Sequence, residues 1–238
     1  EITGFSALEI NTNSLTLNGD VSAENSILIE NLSSNTTDIF IKNDLSLESS
    51  SISIEDFYFS SENKNLSFNI TGDGSVSLKG SENNNSDNNL NSIIISNLNT
   101  NSSAPKDSNI ILSGDFSTLN FNVGSSDAFN TYNLSLTGDT RFSNNSSFNL
   151  NQTGLSGNYL LTLNAIDETT SEAAFDGPIE LAGLKLNNYK QASFGNNIEV
   201  TEAGLLINSQ DILFTEDTVI SSTDKGSITR NGSTSSTS

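Results

Sequence analysis

The feature that most constrains this chain is an alternation of the form apolar-x-apolar, repeated from end to end in bursts of three to five residues. Leu15/Leu17, Ile27/Ile29, Ile52/Ile54, Leu66/Phe68/Ile70, Ile110/Leu112, Leu134/Leu136 and Ile198/Val200 are examples. A period of two is the period of a strand with one buried face. No stretch keeps a 3.6-residue period. Between the bursts stand Asn, Ser, Gly and Asp, the residues of turns. The chain is therefore read as all-β.

Composition narrows this further. Of 238 residues, 36 are Asn and 64 are Ser or Thr, while 33% are hydrophobic and 16% charged. Asn and Ser compete with helix by bonding to nearby backbone, and they suit turns. Cys, His, Met and Trp are absent. That removes disulfides, thiol and imidazole chemistry, and the usual zinc ligands. The formal charge of −20 opposes nucleic acid and anionic membranes. No apolar run approaches the roughly 18 residues of a membrane helix. The opening Glu1-Ile2-Thr3 lacks an initiator Met, which is read as a processed or excised start.

A more specific motif joins an apolar-x-apolar burst to Gly-Asp. It appears as Leu15-Thr16-Leu17-Asn18-Gly19-Asp20, Phe68-Asn69-Ile70-Thr71-Gly72-Asp73, Ile110-Ile111-Leu112-Ser113-Gly114-Asp115 and Leu134-Ser135-Leu136-Thr137-Gly138-Asp139. Val76-Ser77-Leu78-Lys79-Gly80 is a related form without the Asp. The Gly suits a positive φ, and the Asp is expected to accept from local backbone N–H groups. Successive copies lie 53, 42 and 24 residues apart. A solenoid turn of about 20–25 residues would make these two, two and one turns. The short bursts favour a right-handed parallel β-helix, a solenoid, over the alternative of a β-sandwich, whose strands are longer. In such a stack, Leu, Ile and Phe fill the core and Asn residues bond along the axis.

The expected organisation is three-part. Residues 1–154 form solenoid turns, with protruding loops at 82–108 flanking a strand at 93–95. Residues 155–220 form a C-terminal β unit that caps the stack, with room for hairpins. Residues 221–238 form a flexible tail or linker.

On these motifs the chain resembles the passenger domains of bacterial type V autotransporters, and among them the vacuolating-cytotoxin-like surface proteins of Helicobacter and Campylobacter relatives. Gly157-Asn158-Tyr159-Leu160-Leu161-Thr162-Leu163-Asn164-Ala165 is similar to a strand found near the end of such passengers. Tyr189-Lys190-Gln191 through Glu202-Ala203-Gly204-Leu205-Leu206-Ile207 has the same character. The resemblance implies a right-handed β-helix, export through an outer-membrane barrel, and roles in adhesion, toxicity or surface arrays.

No catalytic set is legible. A Ser nucleophile needs a base, and no His is present. The acidic run Asp167, Glu168, Glu172, Asp176 reads as an exposed loop. Asp20, Asp73, Asp115 and Asp139 are weak candidates for Ca²⁺, the one cofactor entertained, because carboxylates are hard ligands. Their wide spacing favours turn capping instead. The chain is thus expected not to be an enzyme. Its place is the bacterial outer-membrane surface or the extracellular medium. Asn83, Asn84, Asn85, Asp87, Asn88 and Asn89 are its expected binding-loop residues. The expected partners are a host-cell or matrix surface protein or glycan, or copies of itself in a filament or array, and not nucleic acid.

Overall fold

The structure, a computed structural model, describes residues 1–31, 36–61, 63–81, 90–124, 129–223 and 226–236. These form sixteen strands and no helix. In chain order they are β1 (Ile2–Asn11), β2 (Ser14–Leu17), β3 (Val21–Glu30), β4 (Thr37–Ile41), β5 (Leu45–Ser61), β6 (Asn65–Gly80), β7 (Leu90–Asn97) and β8 (Asp107–Val123). Then follow β9 (Thr131–Asn145), β10 (Ser147–Leu150), β11 (Thr153–Ala165), β12 (Glu172–Phe175), β13 (Ile179–Phe194), β14 (Ile198–Phe214), β15 (Ile220–Ser222) and β16 (Ile228–Ser236).

Every strand pairing is parallel, and the chain stacks as a β-solenoid of about nine turns. A sandwich is built from antiparallel sheets, so that alternative is excluded. The long strands bend around corners, which is why up to 17 residues fall in one element where the sequence shows bursts of three to five. The strands fall on three flat faces. On face one Ile27, Ile52, Val76, Ile110, Leu134, Leu155, Ile179 and Ile198 stack in one column. On face two Phe116, Phe142, Leu163, Leu186 and Ile207 do so. On face three the column is Val21, Leu47, Phe68, Ile95, Val123, Leu150, Phe175, Phe194 and Phe214.

These columns are the core, and all but Phe214 are buried. Each large side chain removed from water there contributes about 1.5–3 kcal/mol. Ring stacking adds to this: Phe175 and Phe194 lie 5.4 Å apart at 7°, and Phe121 and Phe148 5.1 Å apart at 17°. In-register parallel pairing sets Phe175, Phe194 and Phe214 ring on ring in successive turns.

The Gly-Asp motif marks corners rather than turns of the solenoid. The copy at 15–20 leads from face two to face three, and the copy at 68–73 from face three to face one. Those at 110–115 and 134–139 lead from face one to face two. The intervals of 53 and 42 residues therefore do not count whole turns. Only the interval of 24 does, since Ile110 pairs directly with Leu134. Gly72 and Gly114 take positive φ, at 66° and 82°, but Gly19 and Gly138 do not. Gly114 has a second reason to be glycine: a Cβ there would run into the Gly80 carbonyl of the turn below.

Residues 155–220 continue the same parallel register as the turns before them, and no hairpin occurs among the described residues. Within the stretch read as a tail, Ile228–Ser236 forms β16 and pairs with β14. No helix among the described residues is long and apolar enough to cross a membrane.

Candidate functional site

The chain leaves the stack conspicuously at the corner between faces three and one. After β7 it departs over residues 98–106, and one turn later β8 ends at Val123 and the described chain returns at the same corner with Asn130 and Thr131. The loop 98–106 is held by a run of Asn side chains. The Asn99 N–H donates to Asn97 Oδ1 at 2.8 Å, the Asn101 N–H to Asn99 Oδ1 at 3.1 Å, and the Ser103 N–H to Asn101 Oδ1 at 3.1 Å. Each is an Asn bonding backbone two residues on, which shapes a loop without strand pairing. The loop is also tied to the next turn. Asn99 Nδ2 donates to Asn130 Oδ1 at 3.0 Å, and Asn130 Nδ2 donates back to the Asn99 carbonyl at 3.0 Å.

Asn97 anchors this network to the core. Its side chain is buried and donates to the Gly72 carbonyl at 2.8 Å and to Ser108 Oγ at 2.9 Å. Its backbone N–H donates to the hydroxyl of the buried Tyr132 at 2.9 Å. The tip, residues 100–105, is exposed. A rigid base and an exposed tip are the anatomy of a recognition loop.

Asn83, Asn84, Asn85, Asp87, Asn88 and Asn89 lie outside the described residues. The strand within the expected loop region is longer than 93–95, being β7, and it belongs to face three. In this turn face two is described only as far as Ser81. Pairing there stops at Gly80 and Ser81, whose N–H donates to the Phe57 carbonyl at 2.7 Å, and the described chain resumes on face three. A crevice on this face is lined by Phe57, Tyr58, Phe59, Phe116, Arg141 and Asn144. Across it Phe57 and Phe116 meet edge to face at 6.3 Å.

The four Gly-Asp carboxylates are not brought together. Asp20 Oδ1 accepts the Ser46 N–H at 2.7 Å, and Asp139 Oδ1 the Leu160 N–H at 3.0 Å. Asp73 accepts the Asp107 N–H at 3.1 Å and Lys106 Nζ at 3.2 Å, and Asp115 pairs with Arg141 Nη2 at 3.0 Å. The acceptors thus serve the next turn of the stack, where the sequence reading put them on local backbone. Next to a corner, the N–H groups of Ser46, Asp107 and Leu160 take their acceptor from the Asp one turn below. Asp44 does the same for the Asn65 N–H at 2.9 Å without a Gly before it. Among the described residues no three acidic side chains converge as a metal site would require. Asp73 is held below the usual carboxylate range by the Asp107 N–H and Lys106, and Asp44 by the Asn65 backbone and side chain.

In the acidic run, Asp167 Oδ1 accepts the Thr169 N–H at 2.8 Å, and Glu172 faces Lys190 at 3.9 Å. Asp167, Glu168, Glu172 and Asp176 are all exposed. No protein-family model matches the chain, and no curated protein and no solved structure is significantly similar to it.

Proposed function

We propose that this chain is a non-catalytic recognition scaffold of the bacterial surface or exterior, an adhesin or toxin-like passenger segment of the autotransporter kind. One observation carries the reading: the loop 98–106 leaves one corner of the stack and is bonded through Asn99 to Asn130, at the same corner one turn later. Ordering a loop on binding costs free energy, and a loop already fixed by its own side chains avoids most of that cost. The composition supports the same reading, since a chain without His or Cys and with nine basic residues has few groups for catalysis. The partner class is a host-cell or matrix surface component.

The test replaces residues 99–105 by a short Gly-Ser bridge, leaving β7 and β8 intact, and measures adhesion of the purified chain to host cells and matrix proteins. Adhesion that falls with a retained unfolding midpoint supports the reading. Adhesion that is unchanged places recognition elsewhere on the stack.

A further inference from the structure

We infer that the middle of face three binds an uncharged, extended glycan laid along the solenoid axis. Over four consecutive turns the outward centre row of this face is Ser67, Ile94, Asn122 and Asn149, held in register by direct strand pairing. Beside it runs the row Asn65, Ser92, Asn120 and Ser147. Neither row contains any of the 29 acidic or 9 basic residues of the chain. Charge returns at the borders: one turn before the strip Asp44 accepts from the Asn65 N–H and Nδ2, and one turn after it Glu172 pairs with Ser147. All eight side chains are half-buried or buried, so the surface is flat.

Charge selects the occupant. With a net charge of −20, a polyanion is repelled by the molecule as a whole, and so is a second copy of the chain. A basic partner is drawn to the carboxylates at the corners and borders, away from this strip. An uncharged chain meets no repulsion and strips water from no charge. The chemistry of the strip suits sugar hydroxyls. Its amides and hydroxyls are ordered along the axis by Asn91 Nδ2 to Asn65 Oδ1 at 2.7 Å, Ser92 Oγ to Asn65 Oδ1 at 2.6 Å, and Asn120 Nδ2 to the Asn91 carbonyl at 2.9 Å. The half-buried Ser67, Asn120 and Asn122 keep further donor and acceptor capacity toward solvent, whereas Ser92 and the Asn149 Oδ1 are buried. Ile94 adds an apolar contact for the C–H face of a ring. Stacked parallel strands recur about every 4.7–4.9 Å, close to the recurrence of successive rings in an extended β-1,4-linked glycan. This surface is separate from the tied loop and does not rest on the adhesion reading.

The test is calorimetric titration of the whole chain with cellohexaose and with chitohexaose. Wild type is expected to bind at least one of them, and Ile94→Glu and Ser67→Asp each to weaken that binding about tenfold or more. Ser135→Asp, which puts the same charge on face one, is expected to leave it unchanged. Loss of fold is excluded by requiring each variant's thermal midpoint to match wild type. The inference is overturned if wild type binds neither hexamer, or if Ser135→Asp weakens binding as much as Ser67→Asp. It is also overturned, in favour of self-association, if wild type sediments as a dimer that Ile94→Glu dissociates. The chain lacking 99–105 retains hexamer binding if the strip and the loop are distinct sites, and loses it if they are one.

Discussion

The hydroxyl of Tyr189 donates to Asn145 Oδ1 at 2.8 Å across 44 residues of sequence, with both side chains buried at the corner where face two turns into face three. Asn145 in turn sends its Nδ2 toward the Thr118, Leu119 and Ser147 carbonyls at 3.4, 3.3 and 3.1 Å. Three turns of the solenoid are thus joined through one amide. Tyr189→Phe removes the donor and leaves a buried acceptor, which costs about 1–3 kcal/mol. Asn145→Ala takes the acceptor from the tyrosine hydroxyl and removes the three amide contacts as well, and is expected to cost more. Urea unfolding of the two variants checks both the loss and its order. Burial also pushes the Tyr189 phenol well above its ordinary range, so this tyrosine is expected to stay protonated when the chain is titrated optically to pH 11.

Gly114 and Gly72 offer a second comparison, because the same motif supplies both and only one has a neighbour. At Gly72, with φ of 66°, the space around a Cβ is open, so Gly72→Ala meets only the left-handed backbone penalty of about 1–2 kcal/mol. At Gly114 the Cβ would also collide with the Gly80 carbonyl. Gly114→Ala is therefore expected to lose at least about twice as much as Gly72→Ala. Equal losses in chemical unfolding would mean that the corner relaxes freely.

Much of this was legible from residues. Alternation such as Leu66/Phe68/Ile70 names the inward side chains directly, because a two-residue period does not depend on which turn pairs with which. The Gly-Asp motif was visible, and its Gly was correctly suspected of positive φ at 72 and 114. Its meaning was not legible, because a corner motif occurs at any of three corners and its spacing is not the turn length. Turn length itself varies from 19 residues, Ile179 to Ile198, to 34, Val76 to Ile110, since loops are inserted at corners. The Asp acceptors could not be assigned from sequence either. Asp20 and Ser46 are 26 residues apart, and only the stacking register brings them together. The Asn99–Asn130 tie, 31 residues apart, was hidden for the same reason.

Ser49 presents the opposite case to Asn145. Its side chain is fully buried, and its Oγ has no hydrogen-bond partner among the described residues. An unmet buried hydroxyl is a net loss, and alanine removes it with little change in volume. Ser49→Ala is expected to raise stability by about 1 kcal/mol, read as a higher midpoint in urea. A lower midpoint would show that the hydroxyl is satisfied in solution.

The inter-turn carboxylates set the response to acid. Asp44 and Asp73 each accept a backbone N–H from the next turn, and both are held below the ordinary carboxylate pKa by that bond first. A carboxylate whose folded pKa is depressed stabilises the fold above its unfolded value, near pH 3.9, and that contribution is lost as pH falls through the lower folded value. Stability is therefore expected to be level from neutrality to about pH 5 and to decline below about pH 4. Asp44→Asn keeps a carbonyl oxygen for the Asn65 N–H but removes the titration, and Asp73→Asn does the same for the Asp107 N–H. The variants should be less stable than wild type at pH 7, where the charged acceptor is the stronger one, and should approach it at pH 2.5. Denaturant midpoints across that range separate this from a general charge effect. Relief of repulsion among 29 acidic residues would make wild type more stable on acidification, and the two substitutions would then leave the shape of the pH curve unchanged.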